Sequence, residues 1–207
     1  MPSAEPNLDT RERVLEAAMN VFAERGFAGT STREVCARAS VNSAALNYHW
    51  GSKDRLWTAV VERAASSFDA VVRDNLDLSL PPVELFERVI GALFDAVAED
   101  PRSIRLVLWA TMQSEALDYE ATARAFDPIV ETSVQTLRAM QAAGHLDPSL
   151  DVEVIIPLLH GQMVYAFADR AGHRRFYGVD LSDPAHAARF RAQLLRSVRL
   201  LLGVGES

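Results

Sequence analysis

The 207-residue sequence has one cysteine, no long apolar run and no low-complexity segment. A single cysteine, Cys36, excludes a framework of intrachain disulfides. The longest uncharged stretch, residues 154–168, contains a proline, a histidine and a glutamine and is 15 residues long. A membrane-spanning helix needs roughly 20 mostly apolar residues. The first residues also lack the basic flank and apolar run of a secretory signal. These absences predict a globular cytoplasmic protein with no membrane partner.

Acidic side chains are missing from one short window of an otherwise acidic chain. The net charge is −7, yet residues 1–57 contain seven basic and seven acidic side chains. Residues 35–53 contain no acid at all, and Arg38 and Lys53 are their basic residues. Such a window beside an acidic body is a candidate docking face for a polyanion such as DNA. A solvated surface of mixed charge is the simpler alternative.

Apolar spacing and capping signals predict helices at the amino end. Val14, Ala18 and Phe22 repeat on one face of a first helix, and Gly26 follows where a C-cap belongs. Ser31 and Glu34 match a capping box that opens a second helix ending near residue 39. Further N-caps predict a third short helix and a long fourth one, namely Asn42 or Ser43 and then Ser52.

The remaining residues predict helices as well, and no strand alternation or repeat is found. Asp-Pro pairs at 100, 127, 147 and 183 suit helix starts, since proline is tolerated at the first helical position. We expect helices near 82–98, 101–116, 128–143, 151–171 and 184–202. Residues 119–126 form either a separate turn or the kinked start of the next helix, and Pro157 should kink or interrupt its own helix. The basic run 169–175 is interpreted as a loop. The fold is predicted to be all-α, with about nine helices.

Residues 31–50 have the pattern of a helix-turn-helix unit, two short helices joined by a tight turn. The second helix of such a unit lies in the major groove, so its outer face needs short or hydrogen-bonding side chains. Five residues of the third helix meet this requirement: Ser43, Ala44, Asn47, Tyr48 and His49. Arg33 and Lys53 flank them as candidate phosphate contacts.

The stretch from Thr10 to Leu56 resembles the DNA-binding domain of the tetracycline-repressor (TetR) family. The matching segments are VLEAAMNVFAERGFAGTSTREV at 14–35 and ASVNSAALNYHWGSKDRLW at 39–57. The family turn A-G-V-S appears here with Ser40 in place of glycine, and Y-H-F appears with Trp50 last. Cys36 replaces a small alanine, and Asn47 stands where tyrosine is common. If Ser40 needs a positive φ, it is more strained than glycine would be.

The resemblance implies a homodimeric regulator that binds a palindromic operator in double-stranded DNA. It divides the chain into a DNA-binding domain, residues 1–57, and a helical effector-binding and dimerisation domain, residues 58–207. Ser43, Ala44 and Asn47 are then base readers, whereas Tyr48 and Thr32 contact phosphate. The full set of implied DNA contacts is Thr32, Arg33, Asn42, Ser43, Ala44, Asn47, Tyr48, His49 and Lys53.

Two groups of C-terminal residues are assigned to dimerisation and to effector binding. Apolar stripes of two late helices suit a four-helix interface, although each can also pack within its own subunit: Ile155, Leu159, Phe190, Leu194, Val198 and Leu201. Bulky residues with a few polar tips suit a cavity for an apolar or aromatic effector, although an ordinary filled core would look the same: Phe94, Trp109, Met112, Gln113, His160, Met163 and Phe167. The effector's identity is not encoded in these residues.

An enzyme is the alternative from another class, and the sequence offers little for it. It has no H-E-x-x-H, P-loop, G-x-S-x-G or C-x-x-C pattern. Its histidines are scattered without metal-ligand spacing, so neither a metal nor a cofactor is expected. A regulator that is constitutive, or controlled by a partner protein, is the remaining alternative. The predicted function is a repressor released by a small effector. Activation stays an alternative, because the position of the operator decides between the two.

Overall fold

The computed structural model describes residues 9–112 and 119–202, and the side chains of all of these except 119–122. Within these ranges the chain forms ten helices and no strand. This confirms the all-α prediction and adds one helix to the expected nine. The helices are α1 Thr10–Arg25, α2 Thr32–Ala39, α3 Ser43–Trp50, α4 Lys53–Asn75, α5 Pro82–Glu99, α6 Arg102–Met112, α7 Tyr119–Ala142, α8 Val152–Ala168, α9 Arg170–Tyr177 and α10 Pro184–Leu201.

Side-chain caps open α2, α3 and α4, as the sequence predicts. Ser31, Asn42 and Ser52 each accept a hydrogen bond from the backbone N–H three residues later, at 3.2, 2.8 and 3.2 Å. The reciprocal half of the predicted capping box is absent, because the Glu34 carboxylate pairs with Arg25 at 2.7 Å. Gly26 closes α1 at φ 69° and ψ −178°, a conformation nearly exclusive to glycine.

The first three helices share one apolar core with the start of α4. Val14, Ala18 and Phe22 have no exposed surface, which confirms the predicted inner face of α1. The Phe22 and Trp57 rings meet edge to face at 5.1 Å between centroids. Leu106 and Ala110 of α6 are buried in this same core, which we call the N-terminal core. The long helix α4 continues from it into a second core, the C-terminal core, built from α4, α5 and the later helices.

In the C-terminal half, one predicted alternative is confirmed and two predictions are wrong. The helix expected near 128–143 begins at Tyr119, so residues 119–126 are its start, as one of the two alternatives predicts, and it runs through Pro128. The helix expected over 151–171 continues through Pro157 but ends at Ala168. The run 169–175, interpreted as a loop, lies mostly in α9, which Asp169 caps through the Gly172 N–H at 2.9 Å.

The pair Asp147-Pro148 does not start a helix either. The Asp147 carboxylate accepts from the Ser149 N–H at 2.8 Å and closes a turn. The helix starts four residues later, where Asp151 caps α8. Asp183-Pro184 behaves as predicted and opens α10. Across the described ranges, every helix is too short or too polar to cross a lipid bilayer.

Candidate DNA interface and effector cavity

The third helix, α3, is anchored from beneath and polar on its outer side. Leu46 is 1% exposed and Trp50 is 7% exposed, so both fix the helix on the N-terminal core. Tyr48 is the opposite extreme, with 85% of its surface exposed. Ser43, Ala44 and Asn47 are exposed beside it, as the prediction for base-reading residues requires. A hydroxyl, a methyl and a carboxamide therefore face solvent on one helix with no acid among them.

Two other predicted DNA contacts also have structural roles. The Asn42 carboxamide oxygen caps α3, which leaves its N–H groups free to donate outward. His49 is half-buried, and its ring lies 5.0 Å from the Tyr48 ring in an edge-to-face arrangement. Both contacts are internal to α3 and its cap, and they hold Asn42 and His49 in place at its two ends.

The basic residues around α3 differ in whether they are neutralised. Arg25 and Arg38 form ion pairs with Glu34 and Glu24, at 2.7 and 2.9 Å. Arg33 is exposed, and within the described part of the chain no carboxylate pairs with it. Lys53 lies at the first turn of α4 with its Nζ atom 4.2 Å from the centre of the Phe27 ring. Thr32 is half-buried at the start of α2. Contact of Arg33 and Lys53 with phosphate stays a prediction.

The C-terminal core contains an apolar cavity of about 140 Å³ between five helices. Helices α4 and α6 contribute four of its lining residues, namely Phe68, Val72, Ile104 and Val107. Helices α5, α7 and α8 contribute the other six, namely Leu93, Phe126, Ile129, His160, Met163 and Val164. A smaller volume of about 50 Å³ adjoins it and shares Val72, Leu93, Ile129 and His160.

His160 is the polar member of the cavity wall. Burial among apolar neighbours lowers the pKa of its imidazole, so the ring is neutral near pH 7. No hydrogen bond to this ring comes from the side chains and backbone that the structure describes. A neutral imidazole provides one donor and one acceptor nitrogen. The cavity therefore combines apolar walls with one hydrogen-bonding group.

The structure brings only two of the predicted effector residues, His160 and Met163, to this cavity wall. Phe94 and Phe167 are 1% and 2% exposed and pack against each other at 5.3 Å between ring centres. Met112 is 68% exposed at the end of α6. Gln113 lies outside the described residues. Trp109 has a different role, since its indole N–H donates to the Ala23 carbonyl of α1 at 3.3 Å.

Eight lining residues were missed by sequence reasoning: Phe68, Val72, Leu93, Ile104, Val107, Phe126, Ile129 and Val164. A signal for some of them exists in α6. Ile104 and Val107 are apolar on one side of this helix, and Leu106 and Ala110 are apolar on another. A helix with two apolar sides is buried between two layers, and α6 indeed joins the two cores.

The start of α6 is fixed to α1 by Arg102. Its guanidinium binds both oxygens of Asp100, with Nη2 2.6 Å from one of them, and pairs with Glu16 of α1. It also donates to the Asn20 carboxamide oxygen at 3.1 Å. The hydrogen bonds from Arg102 hold the pKa of the Asp100 carboxyl below its usual range. This group of four residues, the Arg102 cluster, connects the cavity-lining helix α6 to α1 in the N-terminal core.

Two family models match the chain in adjacent segments. The model for bacterial regulatory proteins of the tetR family matches residues 14–60. The model for the tetracyclin repressor-like C-terminal domain matches residues 82–198, which is more than half of the chain. The chain belongs to the tetR family. Both models are those of regulators, in agreement with the prediction that the chain is not an enzyme. In this tetR-family chain, no metal-binding group of three or more His, Cys, Asp or Glu residues occurs among the described side chains.

Individual relatives match only part of this tetR-family chain. The transcriptional repressor NicS of Pseudomonas putida is 30% identical over 99 residues, 47% of this chain and 46% of NicS. The chain thus spans about half the length of the curated relatives that it matches.

Solved structures are similar over nearly the whole chain. The putative transcriptional regulator SCO4942 from Streptomyces coelicolor has a TM-score of 0.75 at 22% identity, over 95% of this chain and 100% of its own. FadR from Bacillus subtilis in complex with stearoyl-CoA has a TM-score of 0.74 at 15% identity, over 94% and 99%. At these identities the likeness establishes the fold, and it confirms the predicted helical architecture.

The predicted dimer residues of the tetR-family chain lie mostly in its own core. Four of the six are at most 9% exposed: Ile155, Leu159, Leu194 and Val198. Phe190 and Leu201 are half-buried. About half of the surface of Val154, Leu158 and Tyr165, on the other side of α8, is exposed. The sequence pattern thus identified the inner face of these helices, because the inner face has the stronger apolar periodicity.

Proposed function

We propose that this chain is a ligand-responsive transcriptional repressor that binds a palindromic operator as a homodimer and is released by a small apolar or aromatic effector. The observation that carries the proposal is the outer face of α3, which is exposed at Tyr48 and anchored by Leu46 and Trp50. NicS is named as a repressor, and FadR was solved with stearoyl-CoA, which supports both halves of the proposal. A cytoplasmic location belongs to the same proposal.

We assign DNA binding to residues 1–57, and effector binding and dimerisation to residues 58–207. The exposed side of α8, with Val154, Leu158 and Tyr165, supports a self-complementary contact about a two-fold axis. Such a contact sets the distance between the two α3 helices, which must be about 34 Å to enter successive major grooves.

The coupling between effector and operator runs through α4 and α6 in this proposal. Phe68 and Val72 of α4 line the cavity, whereas Trp57 and Val60 of the same helix are buried in the N-terminal core. Helix α6 has the same double role, with Ile104 at the cavity and the Arg102 cluster on α1. An effector that shifts these two helices moves α3, and a 100-fold change in operator affinity needs only about 2.7 kcal/mol.

Footprinting on DNA upstream of the chain's own gene tests the DNA-binding half. We expect protection of a palindrome that weakens steeply as salt rises, because phosphate contacts release counterions. Tyr48→Ala should lower operator affinity about tenfold or more, since a hydrogen bond to a charged group contributes roughly 1.5–3 kcal/mol. Tyr177→Ala, at an exposed tyrosine of α9, is the matched control. Equal affinity of both variants and the parent would contradict the assigned contact surface.

Lys53 offers a second test because it is the only lysine in the chain. Reductive methylation labels its amine and the amino terminus, and the two sites are separated by peptide mass analysis. We expect operator DNA to slow the labelling of Lys53 while non-operator DNA at high salt does not. An unchanged labelling rate in the operator complex would remove Lys53 from the interface.

A further inference from the structure

We propose that the 140 Å³ cavity binds one uncharged aromatic ring that carries a single hydroxyl group, with that hydroxyl hydrogen-bonded to the His160 imidazole. The inference rests on the proposed function only in taking this cavity as the effector site. It adds the chemical class of the ligand, which neither the family models nor the relatives specify.

The size of the cavity sets the size of the ring. An engineered protein cavity of about 150 Å³ lined by Leu, Ile and Phe binds benzene. The cavity here measures about 140 Å³ and has the same kind of lining, so one six-membered ring fills it. The adjoining 50 Å³ extends past Val72 and Leu93 and accepts a short substituent. A long acyl chain exceeds the two volumes together.

The chemistry of the wall excludes a charged ligand. Nine of the ten lining residues are apolar, and no charged side chain is among the ten. A carboxylate or ammonium group placed here would lose its hydration without gaining a counter-charge, which is strongly unfavourable. An uncharged ring has no such desolvation penalty, so the ligand is neutral.

His160 defines the one polar group that the ligand should carry. It borders both volumes, and among the described residues it has no hydrogen-bond partner, so its ring nitrogens are open to a ligand. The other polar side chain of the smaller volume is Ser133, whose hydroxyl donates its proton to the Ile129 carbonyl at 2.8 Å and has none left to donate to a ligand. A ligand O–H donates to the unprotonated nitrogen of the neutral imidazole.

Calorimetric titration of the full chain with three matched probes tests this assignment. The probes are 4-methylphenol, p-xylene, in which a methyl group replaces the hydroxyl, and 4-methylbenzoate, which is charged. We expect 4-methylphenol to bind and 4-methylbenzoate not to bind. His160→Leu should raise the Kd of 4-methylphenol about tenfold and change the Kd of p-xylene less than threefold, because only the phenol loses a partner.

Two further variants keep the result interpretable. His145→Leu replaces an exposed histidine and should leave all three affinities unchanged. His160→Gln retains a hydrogen-bonding group, so its affinity for 4-methylphenol should lie between those of the parent and His160→Leu. It also replaces His160→Leu in the test if that variant fails to fold. An equal Kd of 4-methylphenol in the parent and both His160 variants would overturn the assignment. So would an absence of 4-methylphenol binding, or tighter binding of 4-methylbenzoate than of 4-methylphenol.

Failure of this inference is distinguishable from failure of the proposed function, because operator binding is measured without a probe. If the chain binds 4-methylphenol through His160 but protects no operator, the proposed ligand class stands and the proposed regulatory function is refuted. If the chain protects an operator but does not bind 4-methylphenol, the regulatory function stands and the ligand class is refuted.

Discussion

The N-terminal core and the C-terminal core differ in their relation to the two apolar cavities described above. In the N-terminal core, Phe22 has no exposed surface and meets two other aromatic rings within 6.3 Å. Both apolar cavities described above lie in the C-terminal core, against Val72 and Leu93. A unit that presents a helix to DNA benefits from a rigid core, whereas a body that admits a ligand needs space. The difference in packing therefore corresponds to the difference in proposed role.

The largest effect expected from this comparison is that of Phe22→Ala. Removing a fully buried phenylalanine from a filled core costs about 3–5 kcal/mol of unfolding free energy. Phe68→Ala is the matched change at the cavity wall, where the ring already borders empty space and has fewer contacts to lose. We expect about 2 kcal/mol there, measured by urea denaturation at 25 °C. Equal costs for the two variants would break the comparison.

The second prediction concerns the Arg102 cluster, where the two regions meet. Arg102→Gln removes charge-assisted hydrogen bonds to Asp100 and Glu16, and we expect a loss of about 1–2 kcal/mol at pH 7 after allowance for partial exposure. The Asp100 pKa is lowered in the folded protein, first by the Arg102 hydrogen bond. Its contribution is therefore present above the unfolded pKa of about 4 and is lost as pH falls below that value.

The stability difference between Arg102→Gln and the parent should accordingly shrink as the pH falls from about 4, the unfolded pKa, through the lowered pKa of Asp100 in the folded protein. Arg138→Gln is the control, because Arg138 pairs with Glu153 at an exposed site and should change stability by less than about 0.5 kcal/mol. A difference for Arg102→Gln that is constant over this pH range would show that the cluster acts through packing of the side chain and not through charge.

The same contrast explains how much of the fold was predictable from sequence. The starts of α2, α3 and α4 were predicted because Ser31, Asn42 and Ser52 cap them with side chains adjacent in sequence. Helix α9 was missed because its charged sequence has no apolar stripe. It forms where Asp169 caps it and where His173 is buried against the rings of Tyr165 and Phe190. Contacts of that kind depend on the tertiary structure.

The candidate sites divide in the same way. The outer face of α3 was predictable, because polar residues such as Asn47 on a short helix that is anchored by Leu46 must face solvent. The cavity wall was not, because Phe68 beside the cavity and Phe94 packed against Phe167 in the same core are the same residue type. Whether an apolar side chain borders a void is decided by the packing of five helices, and a single sequence does not specify it.

The smallest expected effect lies in the helix-turn-helix, at Ser40. Its φ of 54° and ψ of 46° are left-handed, and among the described residues it is the one non-glycine with a positive φ. The sequence analysis predicted strain if Ser40 has a positive φ, and the structure shows that positive φ. A side chain in this conformation costs about 1–2 kcal/mol, and glycine avoids that cost but has more backbone entropy to lose on folding. Ser40→Gly should therefore stabilise the chain by about 0.5–1 kcal/mol, measured as a higher urea midpoint.

Ser40→Ala is the matched control, because alanine retains the Cβ atom and should give no gain. The turn keeps its geometry in Ser40→Gly, since the Val41 N–H still donates to the Cys36 carbonyl at 3.0 Å. We therefore expect operator affinity to change less than threefold. A stabilised variant with strongly reduced affinity would mean that the strained serine, and not only the α3 face, contributes to DNA binding. The backbone strain at Ser40 would then be part of the DNA-binding site, and the rigid core beneath α3 would not be sufficient to position it.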